Sequence, residues 1–137
     1  VKSSKIRRQK TEDRRQKKAA IIVGHGSKMK GFQRAMEKVA RQLRHRRAFD
    51  FVSCAYLEIT PPSIERAVHS LVRHGVTTLL VLPYFLLMGV HIKEDIPEII
   101  RSLRGKYRGK VKIILCPYLG YHEKIVSVVS QRLGEGR

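Results

Sequence analysis

Residues 76–82, Val76-Thr77-Thr78-Leu79-Leu80-Val81-Leu82, carry no charge and are almost wholly apolar, with several β-branched side chains. A short run of this kind, with Gly75 before it and Pro83 after it, reads as a strand buried on both faces. Three similar runs lie on either side of it: Ala19–Gly24, Phe51–Leu57 and Val111–Cys116. Between the runs the apolar spacing becomes that of a helix. Phe32, Ala35, Met36, Val39, Ala40 and Leu43 form one inward stripe. Ile64, Ala67, Val68, Leu71 and Val72 form a second, with Pro61 and Pro62 starting the helix and Gly75 closing it. Ile92, Ile96, Ile99, Ile100 and Leu103 form a third, and Ile125, Val126, Val129 and Leu133 a fourth within Tyr121–Leu133. Strands with no polar face belong in a parallel sheet covered by helices on both sides. The expected fold is therefore α/β and three-layered, with a mostly parallel four-stranded sheet, over residues 19–137.

A chain of 137 residues is sized for one such domain, and a 42% hydrophobic share fits a globular chain. The longest mainly apolar runs, Thr78–Val90 and Val111–Leu119, fall short of the roughly 20 residues that span a bilayer, so no membrane partner is expected. No leader pattern opens the chain, which points to the cytoplasm. Cys54 and Cys116 sit in separate apolar runs without ligand spacing and read as reduced core thiols. Lysine and arginine number 29 against 11 acidic residues, a net charge of +18. Residues 1–18 hold nine of those basic residues beside Glu12 and Asp13, and are expected to form a solvated basic extension. The remaining residues still carry +11. Such a body favours nucleic acid, anionic lipid, or a small molecule with several carboxylates or phosphates.

Right-handed crossovers bring the C-terminal ends of parallel strands to one edge of the sheet, where open α/β folds bind ligands. Gly24-His25-Gly26-Ser27 follows the first strand, Tyr56-Leu57-Glu58 the second, and Gly89-Val90-His91 the third strand and its loop. Imidazole and carboxylate are ligands for divalent first-row metals, and two or three of them leave coordination positions open. Other readings compete. Either histidine alone suits a capping role, and Glu58 suits the start of the helix near Pro61. The glycines around His25 suit a phosphate cradle, but they lack the dinucleotide and P-loop spacings. His25 as a phosphoryl acceptor wants a neighbouring arginine, and Val23 and Gly24 stand there instead. A nucleic-acid-binding module is motivated by the charge, but no stacking pattern or recognition motif supports it, so nucleic acid is not an expected partner. His45, His69, His74 and His122 fall on helix faces or ends and read as structural. The apolar loop Pro83–Val90 reads as a segment packed under the third helix or into a dimer interface, as a wall for a flat ligand, or as both.

Taken together, Ile22-Val23-Gly24-His25-Gly26-Ser27, Tyr56-Leu57-Glu58 with Pro61, and Pro83-Tyr84-Phe85-Leu86 with Gly89, His91, Asp95, Ile96 and Pro97 resemble the short-form sirohydrochlorin chelatases. Pro117-Tyr118-Leu119-Gly120 with His122 is similar to that family's last loop, and the likeness covers about residues 20–133. The resemblance implies a chelatase-like half domain. It also implies a lyase that inserts Co2+, Fe2+ or Ni2+ into sirohydrochlorin, a polycarboxylate tetrapyrrole, in cobalamin- or siroheme-type biosynthesis. The metal is then a substrate, no permanent cofactor is expected, and the working unit is a homodimer. The family's metal-binding histidines map onto His25 and His91. Its active-site carboxylate maps onto Glu58, as base or as ligand. Substrate contacts are expected from Ser27, Lys28, Tyr84, Phe85, Leu86, Met88, Gly89, Val90 and Lys93, with Lys30 close by. Lys28-Met29-Lys30 departs from the arginine and more polar stretch expected after His-Gly-Ser.

Overall fold

The computed structural model describes residues 16–137. Strands β1 (Lys17–Gly24), β2 (Phe51–Tyr56), β3 (Val76–Pro83) and β4 (Lys112–Leu115) alternate with helices α1 (Arg34–His45), α2 (Ile64–Arg73), α3 (Val90–Lys106) and α4 (Glu123–Gly134). The sheet is parallel throughout, in the order β2-β1-β3-β4. Ile21 lies between Ser53 and Val81, and Leu79 pairs onward with Ile113.

Alternation along β1 divides the core in two. Ala19, Ile21 and Val23 face α2 and α3, packing with Val68, Leu71, Val81, Ile96 and Ile100. Ala20 and Ile22 face α1 and pack with Met36, Ala40, Val52, Cys54 and Tyr56. Burying a large aliphatic side chain contributes about 1.5–3 kcal/mol, so strands apolar on both faces require this double cover. Ala35, expected on the inward stripe of the first helix, is exposed; Met36 and Ala40 carry the burial.

Two boundaries differ from the sequence reading. β1 begins at Lys17 rather than Ala19, because Lys17 pairs with Val76 and the Lys18 N–H donates to Asp50 Oδ2 at 2.8 Å. The rest of the expected basic extension, residues 1–15, lies outside the described residues. Pro61 and Pro62 precede α2 instead of starting it. Ser63 is its N-cap, with Oγ accepting from the Arg66 N–H at 3.2 Å, while the Pro62 carbonyl accepts from the Tyr56 N–H at 2.9 Å.

The largest difference is α4. Its expected inward stripe is exposed: Val126 by 53%, Val129 by 52% and Leu133 by 77%, with Ile125 half-buried. The segment before α4 explains this. Leu119 N–H donates to Pro83 O at 3.3 Å and Gly120 N–H to Phe85 O at 3.0 Å, which pins the chain after β4 along the segment that follows β3. On the α1 side of the sheet, an apolar groove of about 330 Å³ remains open over β1 and β3, walled by Ile22, Leu80 and Leu82 and by Cys116 and Leu119 from the segment after β4. Among the described residues, no helix is long and apolar enough to cross a membrane.

Candidate active site at the C-terminal edge of the sheet

Backbone pairing continues past the ends of β1 and β2. Leu57 N–H donates to Gly24 O and Glu58 N–H to His25 O, both at 3.0 Å. This carries His25 and Glu58 side by side beyond the sheet. Gly26 makes the approach feasible: its φ is 103°, and a Cβ there would overlap the Glu58 carbonyl oxygen. His25 Nε2 stands 3.2 Å from Glu58 Oε1, with the two side chains 51% and 57% exposed. His25 Nδ1 is 3.3 Å from the Gly26 carbonyl. A polar contact this open to water contributes little to stability, so holding the fold together is a poor account of why these groups meet.

His91 enters from the first turn of α3, whose N-cap is Gly89. It opens a polar stripe at helical spacing, His91, Asp95, Glu98 and Ser102, which faces His25, Glu58 and Glu65 across a cavity of about 630 Å³. Leu57, Ile92 and Ile99 supply its apolar wall. Four of the chain's 11 acidic residues line this one cavity, and no lysine or arginine is among its described lining residues. In a chain of net charge +18 the cavity is a negative focus inside a positive molecule. Such a field draws a divalent cation inward while the outer surface attracts carboxylates. Among the described residues no three His, Cys, Asp or Glu side chains form a ready-made metal-binding group. His91 shares the cavity without joining the His25–Glu58 contact.

Of the catalytic, metal-binding and substrate-contact residues expected from the sequence, His25, Glu58 and His91 line this cavity and the expected substrate contacts do not. The Ser27 backbone is tied to Thr60. Lys28, Lys30 and Lys93 are exposed, as are Leu86, Gly89 and Val90, and Met88 is half-buried. Phe85 packs against the core shared with α2 and α3. Tyr84 turns to the opposite side, where it packs near Met36 and lines the apolar groove. The reason is alternation: Tyr84 N–H still donates to Val23 O at 2.8 Å, so the chain remains strand-like there and successive side chains diverge. Glu58 does not cap α2, since Ser63 does. His69, His74 and His122 are structural, bonded to Tyr107 Oη, Ser70 O and the Lys124 N–H. Sequence reasoning missed the cavity roles of Glu65, Glu98 and Ser102. The 91-95-98-102 spacing on α3 was the available signal for the last two.

A family profile described as CbiX matches residues 19–136, nearly all of the described chain. The chain belongs to the CbiX family. Among relatives of this CbiX chain, the sirohydrochlorin cobaltochelatase of Sulfurisphaera tokodaii is 34% identical over 115 residues, covering 84% of this chain and 90% of the relative. A putative cobalamin biosynthesis CbiX protein from Marinobacter aquaeolei superposes with a TM-score of 0.71 at 27% identity, covering 87% of this chain and 99% of that one. The sirohydrochlorin chelatase SirB of Bacillus subtilis subspecies spizizenii, solved in complex with cobalt, gives a TM-score of 0.78 at 29% identity. That match covers 87% of this chain but 50% of SirB.

Proposed function

We propose that this CbiX chain is a sirohydrochlorin chelatase, a lyase that inserts Co2+, Fe2+ or Ni2+ into the polycarboxylate macrocycle in tetrapyrrole biosynthesis. The observation that carries the reading is the cavity in which His25 and His91 face four carboxylates at the C-terminal edge of a parallel sheet. The metal enters as substrate and leaves in the product, so the reaction asks for no permanent cofactor.

The cavity's negative field concentrates the cation, and neutral His25 and His91 supply borderline nitrogen donors that hold it without enclosing it. Metal insertion displaces two pyrrole N–H protons. Glu58, already within reach of His25 Nε2, helps hold the incoming metal beside that nitrogen and accepts one of the two protons as general base, while the other passes to water. Exposed Lys28 and Lys93 pair with the peripheral carboxylates, and the exposed apolar side chains Leu86 and Val90 rest against the ring. These contacts hold the macrocycle at the mouth while the cavity presents the metal to its nitrogens.

The active unit is a homodimer in the cytoplasm. Two observations support the dimer: the chain matches half of the longer SirB chain, and α4 presents an uncovered apolar face while an apolar groove stands open on the sheet.

An anaerobic absorbance assay with sirohydrochlorin and, separately, each of the three metals tests the activity. Conversion well above the enzyme-free rate is expected with at least one metal. No acceleration by folded protein with any of them overturns the reading.

A further inference from the structure

We propose that Thr60 is a positioning residue for metal insertion, locking Glu58 against His25 through a two-way hydrogen bond to Ser27. The proposal rests on the chelatase reading of the His25–Glu58 cavity. Thr60 Oγ1 accepts from the Ser27 N–H at 3.0 Å and donates to the Ser27 carbonyl, also at 3.0 Å. One hydroxyl thus satisfies both backbone groups of a residue 33 positions away. Ser27 lies two residues after His25 and Thr60 two after Glu58, so the bridge sits immediately behind the pair.

The segment it holds is strained. Ile59, between Glu58 and Thr60, has φ 64°, a left-handed conformation that a β-branched residue rarely adopts. The Thr60 N–H donates to the Glu58 carbonyl at 2.7 Å, closing a three-residue turn around it. The Ile59 side chain is 59% exposed, so its own packing does little to hold the turn in place. The anchoring bonds are the Glu58 N–H to His25 O pairing on one side and the Thr60–Ser27 bridge on the other. Without the bridge, Ile59 relaxes to negative φ and the Glu58 carboxylate swings away from His25.

The test compares Thr60→Val, which removes both hydrogen bonds at nearly constant volume, with Thr60→Ser, which keeps them. Two readouts are taken: Co2+ affinity by titration without tetrapyrrole, and KM for Co2+ against kcat in the insertion assay. A partner behind a metal-site residue typically sets affinity by tenfold or more. Thr60→Val is expected to weaken Co2+ binding about tenfold and raise KM by a similar factor, with Thr60→Ser within about twofold of the parent. In a Glu58→Gln background, Thr60→Val is expected to add nothing, because the residue acts through the carboxylate. Thr60→Ala serves the same comparisons if the valine variant does not fold. Unchanged Co2+ affinity in Thr60→Val, an equal loss in Thr60→Ser, or an undiminished loss on top of Glu58→Gln overturns the proposal. The titration needs no macrocycle, so a failure of sirohydrochlorin turnover in the parent protein sinks the chelatase reading separately.

Discussion

At the scale of single residues, the α1 side of the core contains a group with no partner among the described residues. The Tyr56 hydroxyl is buried without a hydrogen bond to any of them, and its ring packs against Phe32. Burial first, then the neighbouring Cys54 and Glu37, pushes the Tyr56 phenol up to about 12. Burial and then Glu37 push the Cys54 thiol up to about 11, against a smaller lowering by Arg44. Both groups therefore keep their protons in the folded state to higher pH than in the unfolded chain. Their stabilisation is fully present below the unfolded pKa values and is lost as pH rises from about 9 toward 12. Chemical denaturation should find the protein less stable at pH 11 than at pH 8 by roughly 2–4 kcal/mol. Tyr56→Phe should flatten the upper part of that fall. At pH 8 the same variant should be neutral or slightly stabilising, since it removes an unsatisfied buried hydroxyl. A loss above about 2 kcal/mol at pH 8 would show that the hydroxyl has a partner after all.

At the scale of elements, α1, α2 and α3 are covered as their apolar stripes demand, and α4 is not. Its stripe was readable in Ile125, Val126, Val129 and Leu133, but amphipathicity states only that a face needs cover, not which surface provides it. The open groove beside α1 and the exposed face of α4 are what a second copy would bury in the proposed homodimer. The protein of 15.8 kDa should sediment at about twice that mass. Val126→Asp with Val129→Asp should give a folded monomer, because both side chains are exposed in the single chain and charges there cost the monomer little. A monomeric parent, or a double variant that remains dimeric, contradicts this arrangement. Element ends were less legible than element types. Hydropathy does not register Lys17 as a paired strand residue, and a proline pair reads as a helix start when the true cap is the serine after it.

At the scale of the whole molecule, topology made most of the candidate site readable. Parallel strands send their C-terminal ends to one edge, so His25, Glu58 and His91 were placed together from residues far apart in the chain. Glu65 and Glu98 were not, because an acidic residue on an exposed helix face looks like ordinary solvated charge until the opposite wall is known. Tyr84 shows the converse error. Its apolar loop pointed to the site, but strand-like alternation persisting past Pro83 turned the ring to the other side. What emerges is a basic molecule that holds an acidic cavity among its described residues, a charge arrangement suited to bringing a cation and a polycarboxylate to the same place. The decisive comparison is the rate of metal insertion into sirohydrochlorin by His25→Ala and His91→Ala beside the parent protein, all verified as folded. The predicted result is a loss of about a hundredfold or more in kcat/KM for each variant, the scale set by removing a group that acts on the reacting atoms. Either variant retaining half or more of the parent rate would contradict the assignment of the chemistry to this cavity.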